Sequence, residues 1–172
     1  ASPAGWRRDP GLVCQFYSEQ RREARRAHPN PAHYALAELA RKKGGFVALS
    51  QNVAPELHSG IRKSELPQCP ECKEHLLRPR VVWFGESLPE DIVADVDALF
   101  EEEKIDLCLV IGTSSKVWPT AGFCDRARKL GAKVAWVNMR ADDVKSPRED
   151  DWIFLGDAAV VVPEILGLVE QS

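Results

Sequence analysis

The sequence predicts an α/β fold in which helices cover both faces of an open parallel sheet. Two apolar runs, DLCLVI at residues 106–111 and KVAWV at residues 133–137, have the length and continuous apolar character of strands buried on both faces. Segments with helical periodicity lie between these runs and on either side of them. Strands and helices that alternate at these lengths require right-handed crossover connections, and such connections produce a parallel sheet.

Helix signals are clear in the first part of the chain. Residues 10–27 have a helical pattern. A second helix is predicted after the N-cap candidate Asn30, with Pro31 in its first turn and Gly44 as its stop. The apolar face predicted for the first helix carries Leu12, Val13, Phe16 and Tyr17.

The remaining elements follow in order. FVALS at residues 46–50 is predicted as a buried strand, and VVWF at residues 81–84 is a second strand-like run. Ser87 and Glu90 form a capping-box pattern that begins a helix. The apolar stripe of this helix carries Ile92, Val96, Leu99 and Phe100. The loop TSSKVWPT leads into a helix that stops at Gly131, and WIFLGDAAVVVPEILGLVEQS contains a short strand and a terminal helix.

Composition excludes several classes of function. The 172 residues are 44% hydrophobic and 28% charged, which is typical of a soluble domain with a sizeable core. No apolar run approaches the roughly 20 residues that span a bilayer, so no membrane partner is expected. A net charge of −3 gives no general attraction to nucleic acid. The five cysteines are an odd number, which argues against a closed disulfide framework and for a reducing intracellular compartment.

Polar residues follow three of the predicted strands, at the edge where ligands bind in open α/β sheets. They are Gln51 and Asn52 after FVALS, Gly112, Thr113, Ser114 and Ser115 after DLCLVI, and Asn138 after KVAWV. Small and hydroxyl residues let backbone N–H groups approach a phosphate, and a side-chain amide can hold a ribose hydroxyl. Each group alone is more typical of an ordinary turn. Three polar strand ends in one sheet favour a nucleotide site.

Two segments before VVWF carry candidate chemistry. Cys69 and Cys72 have the spacing of one zinc knuckle, but zinc needs four ligands and the sequence has no second Cys-x2-Cys pair. His75 is a possible third ligand, and the alternative is an exposed dithiol. His58, in the loop APELHSG, is the candidate general base because an imidazole titrates near neutral pH. The alternative is a surface histidine.

Five segments together resemble the signature of the sirtuins, which are NAD-dependent protein-lysine deacylases. They are FVALSQNV, LPQCPEC, LLRPRVVWFGESLP, DLCLVIGTSS and VAWVN, in this order and spacing. The chain is most similar to the desuccinylase/demalonylase-type branch. The resemblance implies a Rossmann-like sheet and a small zinc-binding/helical module. It covers nearly the whole chain, with the first helices and the last twenty residues matching less distinctively.

The sequence departs from the family pattern at several places. The N-terminal Gly-Ala-Gly-x-Ser loop and the cofactor loop ending in Phe-Arg-Gly are absent, and Ala54 stands where the family has Asp. The segment between Val53 and Cys69 is too short for both a His-Gly-Ser segment and a first zinc Cys pair. We expect that these parts belong to a longer protein from which this sequence joins pieces, and that another Cys pair belongs between Val53 and Cys69. A true deletion is the alternative.

The resemblance implies NAD and Zn²⁺ as cofactors. The residues implied for NAD are Gln51, Asn52, Gly112, Thr113, Ser114, Asn138, Met139, Asp157 and Ala158. Cys69 and Cys72 would bind zinc, and His58 would be the base. In the family the acyl-lysine carbonyl oxygen attacks the ribose as nicotinamide leaves, and the base then activates a ribose hydroxyl.

The resemblance also implies an acyl-lysine peptide substrate that pairs as an added strand with residues 82–86. The implied substrate-binding residues are Tyr17, Arg21, Val82, Trp83, Phe84, Gly85 and Glu86. For Trp83 and Phe84 the alternative is core packing. The desuccinylase branch has Arg three residues after the Tyr; here Gln20 stands there and Arg21 follows, turned by about 100° on the helix. The acyl group, whether acetyl, succinyl, malonyl or glutaryl, therefore stays open.

The expected organisation has four parts: a helical small-domain part at residues 1–43, a strand at 44–53, the remainder of a zinc module at 54–80, and a part that binds NAD and substrate at 81–172. A monomer in the mitochondrion, cytoplasm or nucleus is expected. Two other functions remain open. One is a catalytically impaired fragment that binds NAD or acyl-peptide, and the other is a zinc-ribbon or Rossmann-like interaction module without a cofactor.

Overall fold

The computed structural model describes residues 2–52, 68–73, 76–78, 81–83, 85–102 and 104–168. The helices are α1 (Pro3–Arg8), α2 (Pro10–Arg26), α3 (Pro31–Lys42), α4 (Glu90–Glu102), α5 (Phe123–Lys129) and α6 (Ala158–Ile165). The strands are β1 (Leu107–Ile111), β2 (Lys133–Asn138) and β3 (Trp152–Leu155). Short 3-10 turns cover Thr120–Gly122 and Ala141–Asp143. Among these helices, none is both long and apolar enough to cross a membrane.

The chain divides into two compact units. The first unit comprises Ala1–His28 and Leu49–Pro89, and the second comprises Pro29–Ala48 and Glu90–Ser172. All three strands and helices α3 to α6 belong to the second unit, whereas α1 and α2 belong to the first.

The sheet of the second unit is parallel, with strand order β1-β2-β3. Val110 of β1 lies opposite Trp136 of β2, and Trp136 lies opposite Ile153 of β3. The predicted strands DLCLVI and KVAWV are confirmed, and so is the short strand within WIFL. Because all three strands point the same way, their carboxyl ends lie at one edge.

Helices cover both faces of the sheet, as predicted. On one face, Val134 and Trp136 of β2 pack with Cys124 of α5. On the other face, Val137 of β2 packs with Ala35 of α3 and Val162 of α6. Alternate residues of one strand therefore enter two different cores, which explains why the KVAWV run is apolar throughout.

The predicted start of α3 is confirmed. The Asn30 Oδ1 atom accepts a hydrogen bond from the His33 N–H at 3.3 Å, and the His33 Nδ1 atom accepts one from the Asn30 N–H at 3.1 Å. This reciprocal pair satisfies two backbone donors that would otherwise be unpaired at the helix start. In α4 the predicted stripe is buried at Val96 and Phe100, whereas Ile92 is exposed.

The first unit has a core of aromatic and aliphatic side chains around Trp83. Val13 and Tyr17 of α2 pack against Trp83, together with Trp6 of α1 and Val81. The other two residues of the predicted α2 face, Leu12 and Phe16, are exposed. Helix α1 was not predicted; its signal is the N-cap Ser2, whose Oγ accepts a hydrogen bond from the Gly5 N–H at 3.1 Å.

The prediction of a buried strand at residues 46–50 is wrong. These residues form no strand, and Val47 and Leu49 are 52% and 47% exposed. A short apolar run becomes a strand only where a neighbouring strand completes its hydrogen bonds, and β1 pairs with β2 in the described sheet. The segment also spans the boundary between the two units, which falls between Ala48 and Leu49.

The strand-like run VVWF is not a strand at residues 81–83 either, and Phe84 lies outside the described residues. The Trp83 N–H, which a strand would pair with a neighbouring backbone, donates instead to the Glu86 carboxylate at 3.0 Å. Gly85 then turns the chain with φ +89°, a conformation that favours glycine.

Candidate functional site

The loop after β1 begins with a sharp turn at Gly112. Its φ is +63°, and its N–H donates to the Val137 carbonyl of the neighbouring strand at 2.9 Å. A Cβ atom built on Gly112 would have no atom within 4 Å, so the space beside its backbone is open. The glycine therefore serves both the turn and the close approach of a ligand.

The loop continues in a compact turn held by hydroxyl groups. The Thr113 Oγ1 atom accepts a hydrogen bond from the Ser115 N–H at 3.1 Å, with Ser114 between them. Ser115 is buried and has φ +49°, a left-handed conformation that is uncommon for serine. Residues 112–115 thus form a tight loop whose backbone turns at both ends.

Asn138, the last residue of β2, ties the strand ends together. It is only 4% exposed, and its Nδ2 donates to the Thr113 carbonyl at 3.1 Å and to the Asp143 carbonyl at 3.4 Å. Its own carbonyl accepts a hydrogen bond from the Gly156 N–H at 2.9 Å. The ends of β1, β2 and β3 are therefore connected through one residue.

Asp157 follows β3 and caps α6. Its Oδ1 accepts a hydrogen bond from the Ala159 N–H at 2.8 Å, and Ala158 is the first residue of the helix. Met139, directly after Asn138, is 69% exposed. All seven residues predicted for NAD in the second unit lie at or just after the carboxyl ends of the strands: Gly112, Thr113, Ser114, Asn138, Met139, Asp157 and Ala158.

This edge suits a nucleotide. Open space beside Gly112 admits a bulky group to the backbone, and the buried carboxamide of Asn138 fixes the loop in advance. Both features lie beyond the carboxyl ends of parallel strands, where nucleotides bind in open α/β sheets. The residues present therefore fit the phosphate-bearing part of NAD.

The predicted residues of the first unit are distributed differently. Gln51 and Asn52 are exposed, and the Asn52 N–H donates to the Ser50 Oγ at 3.2 Å. His58, the candidate base, lies outside the described residues. The structure thus gives no contact for the predicted base.

Trp83 and Tyr17 are core residues of the first unit. The Trp83 Nε1–H donates to the Tyr17 hydroxyl at 2.9 Å, and the two residues are 3% and 7% exposed. The Trp6 ring lies 6.1 Å from Trp83, centroid to centroid. Trp83 therefore occupies a core position, as the core-packing alternative predicts.

A charged clamp, the ion pair between Arg78 and Glu86, joins residues on either side of Trp83 in the sequence. Sequence analysis did not predict it. Arg78 donates to both carboxylate oxygens of Glu86, at 2.7 and 2.9 Å, and its guanidinium lies 4.2 Å from the Trp83 ring centroid. The hydrogen bond from Arg78, aided by the one from the Trp83 N–H, holds the pKa of the Glu86 carboxyl below its usual range. The signal in the sequence is a pair of opposite charges flanking RVVW. Val82 in this segment is 38% exposed.

Arg21 lies on the same face of α2 as Cys14 and Tyr17, one turn beyond Tyr17. Its Nε atom is buried and has no acceptor among the described residues. Burial raises the pKa of the Cys14 thiol, and the positive charge of Arg21 opposes that shift. The Arg21 head group is therefore partly desolvated.

Cys69 and Cys72 lie in a compact turn. The Lys73 N–H donates to the Cys69 carbonyl at 2.9 Å, and Gln68 and Leu76 form an antiparallel bridge that closes the turn. Within the described part of the chain, no group of three or more His, Cys, Asp and Glu side chains could hold a metal ion. Two cysteines alone are fewer than the four ligands that structural zinc requires.

Comparison with known proteins is consistent with this geometry. A profile of the Sir2 family matches residues 54–119. An NAD-dependent protein deacylase of Thermococcus kodakarensis is 36% identical, covering 99% of this chain and 78% of the relative. One from Candida albicans is 31% identical, covering 95% and 80%. Mitochondrial NAD-dependent protein deacylase sirtuin-5 of Danio rerio is 33% identical, covering 81% and 63%.

Solved structures give the same result. A variant Sir2 homologue in complex with ADP-ribose has a TM-score of 0.80 at 27% identity, covering 98% of this chain and 77% of the homologue. Sir2Af2 bound to a myristoylated histone peptide has a TM-score of 0.69 at 29% identity, covering 99% and 84%. Fold, strand-end loop and sequence agree, and the chain belongs to the Sir2 family.

Proposed function

We propose that this protein uses NAD to remove acyl groups from protein lysines, giving nicotinamide and O-acyl-ADP-ribose. The observation that carries the proposal is the connection of three strand ends through Asn138 beside the open backbone of Gly112. Its relatives are named as NAD-dependent protein deacylases, and a solved homologue was captured with ADP-ribose.

The residues at the sheet edge would hold the nucleotide. A phosphate is proposed to lie against the 112–115 loop, because such small-residue loops act as anion-binding concavities. The Gly112 and Ser115 N–H groups already donate within the protein, so the Ser114 N–H is the donor proposed for the phosphate. The Asn138 carboxamide holds that loop in place through its hydrogen bond to the Thr113 carbonyl. Met139, Asp157 and Ala158 would line the same edge, and Gln51 and Asn52 are proposed to contact the nicotinamide ribose.

When bound, NAD supplies a ribose carbon to which the acyl oxygen can bond as nicotinamide leaves. The chain must then remove a proton from a ribose hydroxyl, and we assign that role to His58. An imidazole accepts a proton near neutral pH without a shift of its pKa.

The substrate is proposed to be an acyl-lysine peptide lying along residues 82–86. Since the Trp83 ring is buried and the Glu86 carboxylate is held by Arg78, recognition there would use the backbone and the exposed Val82 side chain. One Sir2 relative was solved with a myristoylated histone peptide, which supports peptide substrates. The preferred acyl group and the cellular compartment stay predictions.

The test is nicotinamide release from NAD in the presence of acetyl-, succinyl- or malonyl-lysine peptides. We expect release with at least one of these peptides and none with the unmodified lysine peptide. The His58→Ala variant is expected to bind NAD but to form no deacylated peptide and no O-acyl-ADP-ribose, because the base acts after nicotinamide has left. A protein that binds NAD or peptide but releases no nicotinamide with any of the three would be the impaired binder instead.

We also propose that Cys69 and Cys72 bind zinc together with ligands outside the described residues. Support comes from their turn, closed by the Gln68 and Leu76 bridge, and from their Cys-x2-Cys spacing. Atomic emission of the purified protein should give about one zinc per chain, and the Cys69→Ser/Cys72→Ser variant should give none. Equal zinc in both proteins would place the ion elsewhere.

A further inference from the structure

Two cysteines of the second unit meet in its core, on different elements. Cys108 belongs to β1 and Cys124 to α5, and Cys108 packs against the cluster of Cys124, Val134 and Trp136. The two side chains interact, and this interaction is the largest influence on the pKa of each thiol. Cys124 is buried, whereas Cys108 is only partly buried, and neither is in a disulfide. Cys108 is therefore the more accessible residue of the pair.

A positive charge acts on both thiols. The Arg128 guanidinium lies within electrostatic range of both sulfurs; its charge adds to the lowering of the Cys108 pKa and opposes, without reversing, the rise of the Cys124 pKa. Its side chain is buried at 5% exposure, held by Asp125 at 2.9 Å and by Asp151. Its Nε atom has no acceptor among the described residues. A fixed guanidinium beside a thiol stabilises the thiolate, which is the reactive form of cysteine.

The two thiols differ in how easily they lose a proton. The hydrogen bond from Cys124 lowers the pKa of the Cys108 thiol, against the effect of its burial. The same hydrogen bond retains the proton of Cys124 and, with burial, raises the pKa of Cys124. Because Cys108 is also the less buried of the two residues, it is the group that meets the oxidant and becomes the nucleophile, and Cys124 is the group that follows it.

The pair also encloses the strand-end loop. Residues 108–124 run from β1 through Gly112, Ser115 and the Thr120–Gly122 turn into α5. We propose that Cys108 and Cys124 are a reversible redox pair, and that their oxidation by a hydroperoxide to a disulfide cross-links both ends of this loop and weakens nucleotide binding.

The chemistry balances with one molecule of hydrogen peroxide, the simplest hydroperoxide, as the oxidant. The Cys108 thiolate attacks a peroxide oxygen, the O–O bond breaks, and hydroxide leaves and takes up a proton as water. The resulting sulfenic acid is attacked at sulfur by Cys124, which loses its proton, and the S–O bond breaks to release a second water. Two thiols lose two electrons and two protons in total. A dithiol reductant reverses the reaction.

Disulfide formation changes the geometry of the loop. Bonded sulfurs lie about 2.05 Å apart, closer than two hydrogen-bonded thiols. Strand β1 is fixed by its register with β2, so the start of α5 must move toward it. That movement displaces the end of the loop that begins at Gly112, and a displaced loop binds its ligand less well.

Peptide mapping tests the disulfide directly. The full chain is treated with hydrogen peroxide, blocked with iodoacetamide and digested with trypsin, which cleaves after Lys116 and separates residues 105–116 from 117–126. We expect these two peptides to be joined in the oxidised sample and released by reduction. A Cys69–Cys72 disulfide would stay within one peptide. If both cysteines remain alkylatable after unfolding, the proposal is overturned.

Two variants sharpen this result. In Cys124→Ser the sulfenic acid on Cys108 should persist and be trapped by dimedone, whereas Cys14→Ser, which removes a buried thiol of the other unit, should behave as the unaltered chain. Absence of the dimedone adduct in Cys124→Ser would contradict the assigned order of attack.

The effect on nucleotide binding rests on the proposed function, whereas the mapping does not. Peroxide treatment should weaken NAD binding at least about threefold in the unaltered chain, recover on reduction, and have no effect on Cys124→Ser. Failure of the reduced chain to bind NAD would count against the proposed function alone. A mapped disulfide with unchanged NAD affinity would overturn the regulatory part.

Discussion

The Asn138 carboxamide holds two backbone segments at once. Its donors go to the carbonyls of Thr113 and Asp143, and burial at 4% exposure shields these hydrogen bonds from water. Removing a buried hydrogen-bonding partner leaves the other groups unsatisfied, at a cost of about 1–3 kcal/mol. The shape of the 112–115 loop therefore depends on this side chain.

Asn138→Ala should lower the affinity for NAD about tenfold, or about 1.4 kcal/mol, because the nucleotide must then order a loosened loop. Calorimetric titration with NAD measures this change. Arg140→Ala is the control, since Arg140 is exposed and pairs with Asp142; its affinity should be unchanged. A folded Asn138→Ala protein with normal affinity would contradict the role given to the carboxamide.

The location of the polar strand-end residues at one sheet edge could be predicted, because the carboxyl ends of parallel strands meet at one edge. The inward position of Trp83 could not, because its hydrogen-bond partner Tyr17 lies 66 residues away in the sequence. The opposite charges of Arg78 and Glu86 are visible in the sequence, but their pairing depends on the turn at Gly85, which the local pattern did not reveal.

At the scale of elements, the connection from β2 to β3 is fastened by Asp151. Its Oδ2 accepts hydrogen bonds from Trp136 Nε1 at 3.0 Å and the Arg148 N–H at 3.1 Å, and it pairs with Arg128 of α5. The Asp151 and Arg128 side chains are 2% and 5% exposed. Burial raises the pKa of Asp151, but the hydrogen bonds outweigh it and hold the pKa below its usual range.

Asp151→Asn should lower the free energy of unfolding by about 3–5 kcal/mol at neutral pH, because it leaves Arg128 as a buried charge without its main partner. The depressed pKa means that the contribution of the carboxylate is present above about pH 3.9, the usual value for Asp. It is lost as the pH falls through the folded-state pKa. The unaltered chain should therefore lose more stability on acidification than Asp151→Asn.

Urea denaturation at neutral and acidic pH checks this dependence. Asp150→Asn is the matched control, because its carboxylate is 68% exposed and pairs only loosely with Lys133, at 3.6 Å. Its stability should be almost unchanged. Equal stabilities of the Asp150 and Asp151 variants at neutral pH would show that the buried pair contributes little.

Helices and strands could be predicted where a single local feature of the sequence, such as apolar character or a helix cap, determines the element. The β2 run is apolar because two helical layers cover it, and α3 starts where Asn30 and His33 cap each other. FVALS has similar apolar content, but a strand also needs a paired neighbour, and pairing is a property of the folded chain. The local pattern therefore could not distinguish it from a true strand.

At the scale of the whole molecule, the relatives contain more residues than this chain. Their alignments run over 206 and 247 positions, more than the 172 residues of this chain, so both relatives contain residues without a counterpart here. Longer relatives are expected under both alternatives, residues missing from the sequence and a true deletion, so the expectation of missing residues stays a prediction. The second unit retains the strand-end loop in full, and NAD binding is therefore expected of this chain.

Product analysis of the reaction tests the central claim most directly. The protein is incubated with NAD and the acyl-lysine peptide that gave the most nicotinamide, and all products are quantified by mass spectrometry. Equal amounts of nicotinamide, deacylated peptide and acyl-ADP-ribose are predicted, because the acyl group moves from lysine to the ribose. Deacylated peptide that forms without NAD, or NAD consumption that leaves the peptide acylated, would contradict the account.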